Sequence, residues 1–258
     1  MKPVKTLAIG TGIVILLLAA TFIDRHVALQ ATPPPHAIPD RGFALLELFT
    51  SEGCSSCPAA DKLLTHIRET AGDKPIYILA YHIDYWDHLG WKDIFSNPEF
   101  SKRQRQYGTW FGTDQIYTPQ VVINGSAECV GSDEAKLNDR INQALNTPVT
   151  HSLALQAKLQ GQKILIDYQA EGQINDNHLL IAIVQKHAIR KIQRGENGGR
   201  TLEHTSIVRD LQIFNVESHG SHELLLPDGF NLQDWELMGL LQQAKNGKVT
   251  AVARAVFQ

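Results

Sequence analysis

The sequence predicts an α/β fold: a first domain built on a βαβ unit with a helical insertion, followed by a small all-β, sandwich-like domain. Three observations carry it. An apolar run at 43–49 leads through a glycine turn into a helical pattern and then a second apolar run at 76–82. Residues 83–116 turn polar and aromatic. After Pro148 the apolar residues recur at every second position, the period of a half-buried strand. The expected division is 1–40 for a signal peptide or membrane anchor with a proline-rich linker, 41–147 for the α/β domain and 148–258 for the β-rich domain.

Each element follows from its residues. The run from Phe43 to Phe49 lacks helix caps and lies between Gly42 and Gly53, so it reads as a strand buried on both faces. Pro58, Ala59, Ala60, Leu63, Leu64 and Ile67 share a helix face, and Pro58 is tolerated in a first turn whose N–H groups have no acceptor. Cys54 and Cys57 therefore open a helix. Within 83–116 one or two short amphipathic helices are expected, one over 98–107. Val121, Val122 and Ile123 form a strand, Asn124-Gly125 a hairpin turn, and a return strand passes through Cys129. Ser132 or Asp133 caps a closing helix that runs to about residue 144. Beyond Pro148, a hairpin turns at Gln160-Gly161, and further strands are expected at 179–184, 206–216, 235–242 and 249–257.

The N-terminus pairs Lys2 and Lys5 with an apolar stretch over 7–23, then Asp24 and Arg25. That is a charged region followed by an export signal's hydrophobic region, with the rest of the chain exported. No good small-residue cleavage site follows, so a cleaved signal and a retained anchor both stay open. Pro33, Pro34, Pro35 and Pro39 make a stiff extended spacer. A net charge of -3 without a basic stripe excludes nucleic acid as a partner, and contact with a membrane is expected only through the N-terminal segment.

Three cysteines are too few for a disulfide scaffold of this length. Cys129 reads as a small buried hydrophobe. Cys54 and Cys57 stand as C-x-x-C at a helix mouth, where backbone N–H groups and the helix dipole favour a thiolate. Cys54 is the attacking sulfur and Cys57, three positions on, the resolving one. Glu52 beside the thiol opposes its ionisation. His82, Asp84, Asp87 and His88 carry metal-ligand chemistry, but Trp86 and Trp91 favour a packed rim over the cysteines. Gly195 to Arg200 lacks the lysine and hydroxyl of a phosphate loop and reads as an ordered loop between the two domains.

The segments Phe49-Thr50-Ser51-Glu52-Gly53-Cys54-Ser55-Ser56-Cys57-Pro58, His82-x-Asp84-Tyr85-Trp86-Asp87-x-Leu89-Gly90-Trp91, Tyr117-Thr118-Pro119-Gln120 and Arg194-Gly195-Glu196-Asn197-x-Gly199-Arg200 together resemble a family of secreted bacterial proteins of unknown function within the thioredoxin-like superfamily. The resemblance spans about 44–209. It implies a thioredoxin-like first domain, a cis Pro119 against the cysteine pair, and a Thr118 backbone able to pair with an extended substrate strand beside Trp86. It also implies a buried acid near the pair. Glu47 is the candidate, either shuttling the Cys57 proton or, as a plain strand-end acid, reaching solvent or Lys62.

Three functions stay open on these residues: thiol-disulfide exchange with protein or small-molecule thiols, without a cofactor; Cu(I) binding by the two thiolates; and a static disulfide in an interaction protein. The ranking puts exchange first, with Cys54, Cys57, Pro119 and Glu47 catalytic and Thr118 and Trp86 at the substrate.

Overall fold

A computed structural model describes residues 41–258. The expectations for 1–40, both signal or anchor and proline spacer, lie outside the described residues. Among the described residues no helix is long and apolar enough to cross a membrane.

The βαβ unit forms as its pattern dictates. Strand β1 (Ala44–Thr50) leads into helix α1 (Cys57–Thr70) and then β2 (Ile76–His82), which runs parallel to β1 from Ala44↔Ile76 to Thr50↔His82. Helix α2 (Pro98–Phe111) starts at Asn97, whose side chain accepts from the Glu99 N–H, and runs four residues past its expected end. Strands β3 (Gln120–Ile123) and β4 (Ala127–Val130) form the hairpin at Asn124-Gly125. Helix α3 (Glu134–Leu145) is capped by the Asp133 carboxylate.

The separate all-β second domain does not exist. Strands β5 (Ser152–Gln160), β6 (Lys163–Glu171), β7 (Asn177–Lys191), β8 (Thr201–Asn215), β9 (His219–Leu225), β10 (Trp235–Gln243), β11 (Val249–Arg254) and β12 (Val256–Phe257) divide between two sheets. Four of them extend the first sheet, whose order is β11-β10-β7-β8-β2-β1-β3-β4. The junction is the parallel pairing of Ala80 with Ile207. Only β12-β5-β6-β9 forms a second sheet. The described chain lies in one compact unit. Alternation identifies a strand and its buried face but carries nothing about which sheet the strand joins, and that is why the expected boundary at 147/148 does not separate two folds.

The core follows the parity of the long sheet. Odd positions of β1 (Leu45, Phe49) and even positions of β7 (Leu180, Ala182, Val184) meet Phe100 and Tyr107 of α2 in one cluster crossing the junction. On the opposite face Leu46 and Leu48 pack against Ala60, Leu64 and Ile67 of α1 and Leu137 and Ile141 of α3. Beside them Leu179, Ile181 and Ile183 pack against Leu153, Leu155 and Tyr168 of the small sheet. Cys129 is free and buried among the α1 cluster.

Candidate active site

Strand β1 delivers the chain to the mouth of α1, where Cys54 and Cys57 are joined as a disulfide with Cα atoms 5.4 Å apart. Ser56 occupies the helix N-cap without bonding through its side chain to the backbone. Its hydroxyl lies instead 3.3 Å from the Cys54 sulfur, in position to donate to a thiolate. Both cysteines are fully buried, while Ser55 and Ser56 are exposed.

Trp86 lies over this loop. A side chain at Gly53 would come within 3.0 Å of the Trp86 Cβ, so glycine is what allows the tryptophan onto the backbone next to Cys54. The indole N–H donates to the Thr118 hydroxyl at 2.9 Å. Thr118-Pro119 is a cis peptide, and the antiparallel register Phe49↔Gln120 carries Pro119 and Thr118 alongside the end of β1. Trp86 thus spans from Gly53 to Thr118.

Glu47 is elsewhere. At an odd position of β1 it faces α2, on the sheet surface opposite α1, so it cannot serve Cys57. The buried Arg103 guanidinium donates to both of its oxygens, from Nε at 2.7 Å and Nη2 at 3.0 Å, and the Tyr107 hydroxyl donates at 2.6 Å. Burial together with the Glu47 charge holds the Tyr81 hydroxyl well above the ordinary tyrosine range. Neither solvent nor Lys62 is its partner.

The buried polar groups near the cysteines come from the turn itself, from α1, β2 and β8, and from the loops that follow β2 and β7. Glu52, fully buried, accepts from the Trp91 indole at 2.7 Å and Arg190 Nε at 3.1 Å. Asp61, one helical turn after Cys57, accepts from the Thr50 hydroxyl at 3.1 Å. His204 on β8 stands between the two acids, with Nδ1 3.4 Å from Asp61 and Nε2 3.7 Å from Glu52. Burial alone would lower its pKa, yet the Asp61 and Glu52 carboxylates on either side and the Asp93 charge beyond them raise it to about 10. Its ring stands 4.8 Å from that of His82, which pairs with Asp93 at 2.7 Å. Burial would raise Asp93, but the His82 charge and the N–H groups of Glu52 and Phe95 lower it to about 2.

Asn197 closes the arrangement. Fully buried, it donates through Nδ2 to the carbonyls of Glu52 and Cys54, each at 2.9 Å, while Glu196 accepts from the Ser55 N–H at 3.1 Å. A side chain at Gly195, whose φ is +76°, would come within 3.0 Å of the Trp91 Cβ, so glycine is what allows the loop onto Trp91. The 195–200 loop therefore grips the cysteine turn itself. Asp61, His204, Arg190 and Asn197 were not singled out as site residues by the sequence; the one signal for Asp61 is an acid on the helix face shared with Cys57, Ala60 and Leu64. The residues that carry metal-ligand chemistry disperse: Asp87 accepts from Ser96 at 2.6 Å, Asp84 from Ser101, and His88 is exposed. Among the described residues no three His, Cys, Asp or Glu side chains are placed to hold a metal ion.

The comparisons accord with this architecture. A protein from Agrobacterium tumefaciens superposes with a TM-score of 0.63 at 23% identity, over 82% of this chain and 92% of its own. HBP35 of Porphyromonas gingivalis superposes with a TM-score of 0.57 at 16% identity, over 84% of this chain and 75% of its own. Both share the fold. No curated protein matches the chain. Residues 45–242 match the family described as "Protein of unknown function (DUF1223)", a stretch that runs from β1 through the cysteine turn and the gripping loop into β10. The chain belongs to that family.

Proposed function

We propose that the chain is an exported thiol-disulfide oxidoreductase of the thioredoxin-like superfamily, cycling between the Cys54–Cys57 disulfide and the dithiol. The observation that carries the reading is the pair's position, bridged at the mouth of α1 with the Ser56 hydroxyl beside the Cys54 sulfur. In the reductive direction a partner thiolate attacks Cys54, the intramolecular bond breaks and Cys57 leaves with the electron pair. Cys54 then sits in a mixed disulfide, which a second thiol resolves. Export is part of the proposal and rests on the basic and apolar N-terminus.

Burial of both cysteines sets a condition on the chemistry. A partner reaches Cys54 only when its surroundings open, and Trp86, seated against Gly53 and donating to the Thr118 hydroxyl, is the group placed to move. Burial is also the observation that favours a second reading, a static clasp holding the β1–α1 turn. Trapping separates them. The Cys57→Ser variant, expressed with its leader and alkylated in acid, accumulates mixed disulfides through Cys54 if the pair exchanges. A variant that carries only free Cys54 supports the clasp.

A further inference from the structure

We propose that the groove between α2 and the outer half of β8 binds an extended polypeptide, whose backbone pairs with the free edge of β8. In the long sheet β8 lies between β7 and β2. On the β7 side it is paired from Lys191↔Thr201 to His178↔Asn215, but on the β2 side the pairing is confined to Ala80 and Ile207. Among the described residues no strand takes that second edge beyond Ile207, so alternate N–H and C=O groups over 209–215 are left to water or to a partner chain. Strands β4, β9, β11 and β12 also have a free edge, as the outermost strands of an open sheet must. Strand β8 differs in being an interior strand whose neighbour stops short, and in what stands beside the gap.

A cavity of about 630 Å³ lies there, within the size range of ligand pockets. Successive residues of β8, from Asp210 to Ile213, line it, whereas β7 contributes the alternate His178 and Leu180. Alternate residues mark a strand seen face-on, and a successive run marks one that presents its edge. At about 3.3 Å per residue the run is about 13 Å long, room for about four residues of an added strand. Phe100 and Trp110 of α2 stand across the cavity from it. Ile213 is 58% exposed, two positions from the half-buried Leu211, an apolar stripe matched to the alternate side chains of an extended chain.

The polar lining selects a neutral chain of amides over an anion. Lys102 is bonded to Glu99 at 2.6 Å, Gln212 donates to both oxygens of Asp210, and the buried Arg103 is paired with Glu47. No lysine or arginine of the lining is left over to recruit a phosphate or carboxylate. A guanidinium carries five N–H donors. Arg103 spends two on Glu47, one on Tyr107 and one, from Nη1, on Gln242. The fifth, also on Nη1, has no partner among the described residues, on a side chain that is under a tenth exposed and borders the cavity. A buried donor left unmet is costly, and a peptide carbonyl is the acceptor that an extended chain brings. The groove shares no residue with the cysteine site and does not depend on the exchange reading.

The test uses the full chain and a fluorescein-labelled, cysteine-free decapeptide that alternates valine with threonine and lysine, read by anisotropy and then by hydrogen exchange. Saturable binding is expected, with the amides of 209–215 protected in the complex. Ile213→Glu weakens it by about tenfold or more, while Leu225→Glu, at an exposed position of the small sheet, leaves it native. The same peptide with every amide N-methylated keeps its side chains, loses its donors and no longer binds. Binding weaker than about 1 mM overturns the proposal. So does equal binding by the methylated peptide or by Ile213→Glu, and so does protection at the open edge of β9, 219–225, in place of 209–215. Should Ile213→Glu fail to fold, the protection pattern of the native chain decides.

Discussion

At the scale of single residues, Glu47 shows how parity decides chemistry. One position either way on β1 would have turned it toward α1; where it stands, it belongs to the buried pair with Arg103. Removing one partner of such a pair leaves an uncompensated charge, so Arg103→Met lowers stability by about 3–5 kcal/mol in urea denaturation. The pH profile of thiol exchange in the folded fraction stays native, and a shifted profile would return Glu47 to the site. His204 has the opposite signature. Folding raises its pKa from 6.5 to about 10, so its stabilisation is complete below pH 6.5 and disappears as the pH climbs through 10. Native stability therefore exceeds that of His204→Gln most at pH 6, and the difference shrinks toward pH 10 in paired denaturation curves. Trp86 is read by rate. Thr118→Val removes a bond worth about 1 kcal/mol, and Trp86→Ala removes the cover as well, so reduction of the disulfide by dithiothreitol accelerates by about tenfold in the second variant. An unchanged rate would place the barrier somewhere other than the indole. The cysteines were legible because a helix mouth is a local property, set by Gly53, the pair and Pro58. Asp61 was half-legible. His204 was not legible at all, since nothing in spacing announces a partner 143 positions away.

Among elements, the β7–β8 hairpin departs furthest from expectation. Its inner halves at 179–184 and 206–216 are apolar enough to read as strands, but the strands run on to Lys191 and begin at Thr201. The outer halves are written in other residues because they face the site and solvent rather than a core. The hairpin stays paired out to Lys191↔Thr201, and there Arg190 and His204 reach Glu52 beside the cysteine turn while His187 pairs with Glu203 at the surface. The 192–200 connection carries Asn197, whose amide serves two buried carbonyls. Losing both donors in Asn197→Ala costs about 2 kcal/mol. Hydrogen exchange should show the loss concentrated at 52–56, and uniform loss across the sheet would contradict a local grip. Helix α3, by contrast, was readable to within a residue or two, because its Asp133 cap is written next to it.

At the scale of the molecule, the two halves of the chain share one sheet and one core. Phe43, Leu45 and Phe49 pack in the same cluster as Leu180, Met238 and Val249, and Gln242 of β10 donates to the Tyr107 hydroxyl at 2.8 Å. The native chain consequently unfolds in one thermal transition, and residues 41–147 alone stay unstructured by circular dichroism; two calorimetric transitions would restore the division into domains. The site inherits this unity, since β1 and α1 supply the sulfurs while β7, β8 and their loop supply the charges behind them. Equilibration of the full chain in glutathione buffers of graded ratio, with acid quench and alkylation to count free thiols, tests the redox assignment most directly. It predicts a single two-electron transition between disulfide and dithiol, reached from both directions with the fold intact, whereas a pair that stays oxidised until the protein unfolds would show the disulfide to be a fixed clasp.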